Sequence, residues 1–154
     1  MAENDLKVIV KAKELAVHSF KLTSNCNRYP KKYRHSLVDR IQIKSLDIYE
    51  TLFEANRINN MTHKRERCET ITRAITLCDE LLFYIEMSMN LELLNGQSAA
   101  YWSKMVSDVK YMSIRMGSWS MTPESVHAAG KATRSNTIRP DTARIADRHL
   151  RGRS

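Results

Sequence analysis

The chain has 154 residues, which is the size of one domain with room for a hydrophobic core. Only four glycines and three prolines interrupt it, and so few helix breakers favour long helices over a many-turned β fold. Its 25 Lys and Arg residues against 17 Asp and Glu residues give a net charge of +8. That charge fits a polyanionic partner, and it fits equally a soluble basic protein that has no such partner.

The three cysteines, Cys26, Cys68 and Cys78, are odd in number and form no C-x-x-C pair. We therefore predict neither a disulfide framework nor a zinc site, which fits a reducing cytosol. The first residues are acidic and polar, unlike those of a signal peptide. No apolar run approaches the roughly 20 residues that span a bilayer. The expectation is a cytoplasmic protein without a membrane segment, a metal ion or a cofactor.

The first predicted helix, residues 4–25, has apolar residues on two opposite faces. A face that Lys13 interrupts holds Leu6, Ile9, Val10, Ala16, Val17 and Phe20, and the other holds Val8, Ala12, Leu15 and Leu22. A surface helix needs only one apolar stripe. This helix is therefore expected either to contact a second subunit or to lie centrally within its own domain.

The second predicted helix, residues 31–57, starts beside Pro30, which suits the first turn of a helix. Its main apolar stripe consists of Leu37, Ile41, Ile48, Leu52 and Ala55. Leu46 and Phe53 widen this stripe beyond what one neighbouring helix covers. A surplus of apolar surface again indicates a contact outside the bundle.

The third predicted helix begins after Thr62 and runs to about Leu94. Its main stripe repeats at steps of three and four and holds Cys68, Ile71, Ile75, Cys78, Leu82, Ile85, Met89 and Leu93. A second apolar line consists of Ala74, Leu77, Leu81 and Tyr84. Gly96 is expected to end this helix, because glycine tolerates the left-handed conformation common after a helix.

The fourth predicted helix, residues 99–116, has Ser98 as its expected cap. Its apolar positions are Trp102, Met105, Val109, Met112 and Met116, which we assign to the core. Four helices with short connections predict an all-α, up-down-up-down four-helix bundle over residues 1–119. The surplus apolar surface predicts a homo-oligomer, for which closed cyclic symmetry is the usual arrangement.

Residues 120–154 differ in character from the rest of the chain. Between residues 131 and 154, seven basic residues face two acidic ones, which leaves a net charge of +5 in this segment. We predict a flexible basic tail there.

No enzyme signature is found in the sequence. It contains no Gly-rich phosphate loop, no G-x-S-x-G and no H-E-x-x-H, and none of the four predicted helices carries a Glu-x-x-His pair of the kind that di-metal bundles use. We therefore predict no catalytic residue and no metal ligand. The remaining enzymatic alternative is a site built from Glu50, Glu54 or Glu69 in the core.

Two basic clusters lie at predicted helix N-termini, where the helix dipole disfavours cations by roughly 0.3–1 kcal/mol each. The first spans residues 28–35 and continues along the second helix, and the second spans residues 63–67 and is followed by Arg73. The predicted nucleic-acid-binding residues are Lys31, Lys32, Arg34, Arg40, Lys44, Lys64, Arg65, Arg67 and Arg73. In an antiparallel bundle the two clusters lie at opposite ends, and we prefer the second as the RNA contact. The alternative is an ordinary solvated surface.

Several motifs resemble those of a known family. They are the Tyr29-Pro30-Lys31 turn with Arg34 after it, Ala55-Asn56-Arg57, the long third helix, the Tyr101-Trp102 pair and the Gly117-Ser118-Trp119 ending. The chain resembles, over about residues 5–119, the four-helix-bundle proteins encoded in intervening sequences of large-subunit ribosomal RNA. Within that family it is most similar to the accessory proteins of diversity-generating retroelements. The basic tail departs from the family pattern.

The resemblance implies properties that the residues alone do not. It implies a cyclic homopentamer with a positively charged barrel, in a bacterial or phage-encoded system. The expected partners are a reverse transcriptase and its template-repeat RNA, alone or as an RNA/DNA hybrid. The protein would support adenine-directed mutagenic cDNA synthesis without catalysing it. The alternative is a protein-interaction module of the same family without a nucleic-acid function.

Overall fold

The computed structural model describes residues 3–118, which form four α-helices and no strand. The helices are α1 (Glu3–Thr23), α2 (Asp39–Arg57), α3 (Lys64–Asn90) and α4 (Gly96–Ser118). A short 3₁₀ turn (Lys31–Tyr33) and a wider π-type turn (Arg34–Val38) lead into α2. Within this part of the chain, no helix is both long and apolar enough to cross a membrane. The predicted tail, residues 120–154, lies outside the described residues.

The helices form a closed ring in which each packs against two others: α1 against α2, α2 against α3, α3 against α4, and α4 against α1. Two ion pairs, Lys44 with Glu80 and Arg73 with Glu54, show that α2 and α3 run antiparallel. The predicted four-helix bundle is thus confirmed for the described residues. We call the end that carries residues 24–38 and 91–95 the upper end, and the end that carries residues 58–63 the lower end.

The core positions of α2 and α4 agree with the predicted stripes. All five main-stripe residues of the second predicted helix are buried, four on α2 and Leu37 on the π-type turn before it, as are Trp102, Val109 and Met116 of α4. Met105 and Met112 are partly buried and pack against the same core. The methionines of α4 therefore serve packing, because their spacing keeps them on the inner side of the helix.

The structure decides which of the two apolar faces of α1 enters the core. Val8, Ala12 and Leu15 are completely buried, whereas Val10 and Val17 remain 54% and 45% exposed. Lys13 lies on the same side as the exposed valines, and a buried lysine without a partner would be costly. Leu6, Val10 and Val17 of the face that Lys13 interrupts therefore point outward, whereas Ala16 of that predicted face is buried and Ile9 packs against the core.

The buried face of α3 lies between its two predicted apolar lines. Ile71, Cys78 and Ile85 of the main stripe are buried together with Leu81 of the second line, whereas Met89 is 42% exposed. The polar residues on this buried face satisfy their own hydrogen bonds. Thr70 and Ser88 each donate to the backbone carbonyl four residues earlier, at 2.9 Å and 2.8 Å.

The connection between α3 and α4 differs from the prediction. The third helix ends at Asn90 rather than near Leu94, and the left-handed residue that follows is Glu92, with a φ of 59°. Gly96 instead begins α4. Asn95 is the cap, because its Oδ1 accepts the backbone N–H of Ser98 at 2.7 Å. The predictions that Gly96 ends α3 and that Ser98 caps α4 are therefore wrong.

Arg67 joins three helices at the lower end. Its side chain is only 6% exposed, and its guanidinium donates to the Ala55 carbonyl at 2.8 Å and to Asp5 Oδ2 at 3.0 Å. A buried cation is tolerated only when its donors are paired. The contacts with α2 and α1 satisfy that requirement and fix the position of the α3 N-terminus.

We expect Arg67→Ala to lower the free energy of unfolding by about 3 kcal/mol, because it leaves Asp5 and the Ala55 carbonyl without their donor. Urea unfolding followed by circular dichroism measures this loss. Arg65→Ala is the matched control, since that side chain is 93% exposed, and little change is expected. A loss no larger for Arg67→Ala than for Arg65→Ala would contradict a structural role for the buried pair.

Candidate nucleic-acid interface

The first basic cluster lies on the turns that lead into α2 at the upper end. Tyr29 anchors these turns, because its ring is packed in the core with 3% exposure, and burial raises the pKa of its hydroxyl. Pro30 precedes the helical segment, and its carbonyl accepts the Tyr33 N–H at 2.9 Å. Tyr29 and Leu37, at the two ends of this segment, are buried. The cations between them, Lys31, Lys32 and Arg34, are exposed.

The cations of this cluster are exposed to solvent and are not neutralised by nearby carboxylates among the described residues. Lys31, Lys32, Arg34 and Arg40 are all exposed. Within residues 3–118, none of the four has an ion-pair partner. Lys32 places its Nζ over the Tyr33 ring, 4.9 Å from the ring centroid. The exception further along α2 is Lys44, which is paired with Glu80 of α3.

The second basic cluster lies at the lower end and is largely neutralised. Arg65 Nε is 2.8 Å from Glu69 Oε1, and Arg73 Nη2 is 2.7 Å from Glu54 Oε2. Arg67 is buried against Asp5, and Lys64 at the start of α3 is partly buried. Each of the three arginines thus has its own carboxylate, which leaves little net positive charge on this surface.

The two clusters do lie at opposite ends of the bundle. Arg28 Nη1 donates to Ser98 Oγ at 3.3 Å beside the start of α4, whereas Arg67 meets Asp5 at the start of α1. A helix of 21 residues such as α1 is about 30 Å long. The clusters are therefore too far apart to form one compact contact, and the upper end is the stronger candidate for an anion-binding surface.

An open pocket of about 220 Å³ brings Arg28 of the first basic cluster together with residues of α1 and its loop that the sequence did not connect with it. It is lined by His18, Lys21, Leu22, Asn25 and Arg28. The His18 ring packs edge-on against Tyr101, with 5.3 Å between ring centroids. Burial and, to a lesser extent, the nearby Lys21 charge lower the pKa of this imidazole. In the sequence only the i, i+3 spacing of His18 and Lys21 was visible, and the fold brings Arg28 to them.

An apolar surface covers the outer side of the α1–α2 pair. Thr23 Oγ1 accepts a hydrogen bond from Gln42 Nε2, which places the end of α1 beside the start of α2. In this register the exposed apolar residues of the two helices form a neighbouring set, which we call the α1/α2 outer face. It consists of Leu6, Val10 and Val17 on α1 and of Leu46 and Phe53 on α2. The partly buried Tyr49 stacks on Phe53 with 6.1 Å between ring centroids.

The carboxylates that an enzymatic alternative would need are all exposed. Glu50 lies on the surface of α2, Glu54 pairs with Arg73, and Glu69 pairs with Arg65. Within residues 3–118, no group of three His, Cys, Asp or Glu side chains is placed to hold a metal ion. Burial raises the pKa of the Cys78 thiol to about 12, so this cysteine is a packing residue rather than a nucleophile.

Comparisons of the chain with protein-family profiles, with curated proteins and with solved structures find no match. The class of protein that the described residues define is a four-helix bundle with one basic end and one apolar flank. A more specific function has to be inferred from those two surfaces.

The lowered pKa of His18 predicts that the bundle loses stability as the pH falls through about 6.5, the ordinary value for histidine. Below that pH the unfolded chain binds a proton that the folded chain still excludes, and the loss is complete below the folded pKa. The groups around the imidazole are Lys21, Tyr101 and Trp102, together with Arg28, which lines the same pocket. His18→Phe keeps the ring contacts and should reduce the acid-side loss in urea titrations at a series of pH values. An unchanged pH dependence in that variant would contradict the assignment to His18.

Proposed function

We propose that the chain is a non-catalytic accessory protein that binds RNA through its upper end. The observation that carries this proposal is the set of exposed cations without ion-pair partners among the described residues, namely Lys31, Lys32, Arg34 and Arg40. A phosphate backbone is the common polyanion that several such cations can neutralise together, with release of condensed counterions. Lys64, Arg65, Arg67 and Arg73 are left out of the proposed contact, because three of them are paired with acids or buried.

More specifically, we propose that the RNA is the template-repeat RNA of a diversity-generating retroelement and that the second partner is its reverse transcriptase. This role is that of the accessory variability determinant, Avd, to which the sequence motifs are similar. It is supported by the Tyr29-Pro30-Lys31 turn, which carries the upper-end cations. The reverse transcriptase would perform the synthesis of mutagenic cDNA in the cytoplasm.

We also propose that copies of the chain associate through the α1/α2 outer face, as a cyclic pentamer. Its exposed valines, leucines and phenylalanine lie in one region, and single scattered apolar residues would need no such explanation. Association would bury them and make the outer stripe of α1 part of an interface. The second subunit that the sequence predicted would then be another copy.

The second candidate function is a protein-interaction module without a nucleic-acid role. The α1/α2 outer face favours it, because this surface would dock a protein whatever the charge at the upper end does. The two functions differ in whether the chain binds RNA at low salt.

Removing upper-end cations should reduce both RNA affinity and its salt dependence. Arg34→Gln with Arg40→Gln is expected to lower the slope of log K against log salt by about 1.4, since each phosphate contact on single-stranded RNA contributes about 0.7. Fluorescence anisotropy with a labelled oligoribonucleotide measures the slope. The matched control is Arg65→Gln with Arg73→Gln, which removes the same charge from the lower end and should leave the slope nearly unchanged.

Two results would count against the RNA proposal. An equal effect of both double variants would mean that only total charge matters, and no binding by the native chain at low salt would favour the interaction module. Arg67 is kept out of the variants, because its loss would disturb the fold rather than a surface.

The oligomer proposal predicts that light scattering gives a mass of several chains. Val10→Glu with Phe53→Glu should reduce it to one chain, because a carboxylate is costly to bury in an apolar interface. Phe83→Glu is the control, since Phe83 is 58% exposed on α3, away from the α1/α2 outer face. A mass of one chain for the native protein would refute the shared interface.

A further inference from the structure

The pocket beside His18 collects positive charge without a counter-charge. Lys21 lies at the end of α1 and Arg28 on the following loop, and both line the same opening. Within residues 3–118 neither has an ion-pair partner. Arg28 donates a hydrogen bond to the neutral Ser98 hydroxyl. The two cations share a concave site although like charges repel each other there.

His18 adds an unsatisfied polar group to this site. Its Nε2 is buried and has no hydrogen-bond partner among the described residues. Native proteins seldom leave such an atom unpaired, so a bound polar ligand would satisfy it. Asn25 at the rim carries an amide with two donors, and Leu22 supplies an apolar wall. The lining is rich in donors and contains no carboxylate.

We propose that this pocket is a binding site for a phosphate group. Lys21 supplies a compact point charge and Arg28 a planar fork of N–H donors, which is the combination that proteins use for phosphate oxygens. The pocket has several times the roughly 30 Å³ that one water occupies. It therefore accommodates a phosphate together with part of the group to which it is attached.

The pocket is distinct from the four cations proposed to follow the RNA backbone, although Arg28 belongs to the same basic segment, residues 28–35. Lys31, Arg34 and Arg40 lie on the turns and helix leading into α2, whereas the pocket is built from the end of α1 and the loop after it, beside the start of α4. Two sources of phosphate share this chemistry: a terminal phosphate monoester, as on a nucleotide or an RNA 5′ end, and an internal phosphodiester of an RNA chain.

The test is a titration of the full chain with inorganic phosphate at constant ionic strength, followed by NMR of the His18 imidazole. Saturable changes in the imidazole signals are expected, together with a rise in the pKa of His18, which burial and Lys21 hold low in the free protein. Lys21→Gln or Arg28→Gln should each weaken phosphate binding about tenfold. Lys13→Gln is the matched control, because Lys13 is an exposed lysine of the same helix outside the pocket.

Further arms identify the source of the phosphate. Tighter binding of adenosine monophosphate than of an oligoribonucleotide with a 5′ hydroxyl assigns the pocket to a terminal phosphate, and the reverse order assigns it to the backbone. This comparison is made in the Arg34→Gln, Arg40→Gln variant and is read at the His18 imidazole. The Arg34→Gln, Arg40→Gln variant should keep its affinity for inorganic phosphate, which separates this site from the proposed RNA contact. Ser98→Ala removes the hydroxyl that Arg28 contacts, and it should leave the affinity for inorganic phosphate unchanged. Signals that respond to phosphate no more than to chloride, or equal weakening by Lys13→Gln, would overturn the proposal.

Discussion

The hydrogen bond from Trp102 to Ser19 is the interaction on which the closed bundle and its upper end depend. Trp102 is the largest fully buried side chain of residues 3–118, and its Nε1 donates to Ser19 Oγ at 3.0 Å. Ser19 can accept because it gives its own hydrogen to the Leu15 carbonyl at 2.9 Å. A buried indole N–H without a partner would be costly, so the bond fixes the rotation of α1 and α4 against each other. With that rotation set, the neighbouring Tyr101 packs on His18.

The arrangement of acids, rather than the number of cations, separates the two ends of the bundle. Arg73 and Arg67 are matched by Glu54 and Asp5, which lie on other helices and far away in the sequence. Only the Arg65–Glu69 pair was visible as an i, i+4 spacing. The sequence therefore located both clusters, but it could not show which cluster is neutralised by neighbouring carboxylates and which is not. The pocket of His18 was out of reach for the same reason, since its lining is assembled by the fold.

The number and the approximate positions of the helices follow from the sequence, whereas their rotation and their exact ends do not. Periodicity of three and four predicts a helix whichever face is buried, and on α1 both faces are apolar. Which face is buried depends on the packing of the neighbouring helices and on the cost of burying Lys13. Ser98 was the predicted cap of α4, but the helix begins at Gly96, and Asn95 in the preceding loop accepts the Ser98 N–H instead. Glu92 adopts the left-handed conformation because the tight connection requires it there, although glycine would adopt it at lower cost.

The symmetry of an assembly would determine how the two surfaces act together. The α1/α2 outer face runs along the helices, and the cations lie at their upper end, so neither surface blocks the other. A ring of copies with its axis along the helices would place every upper end on one rim. One RNA would then meet several basic ends, and its second contact would form at a high effective concentration. A two-fold axis across the helices would instead turn alternate upper ends to opposite sides, and each RNA would meet one copy. Cooperative binding of a long RNA, absent for a short one, is therefore a property of the ring and not of the single bundle.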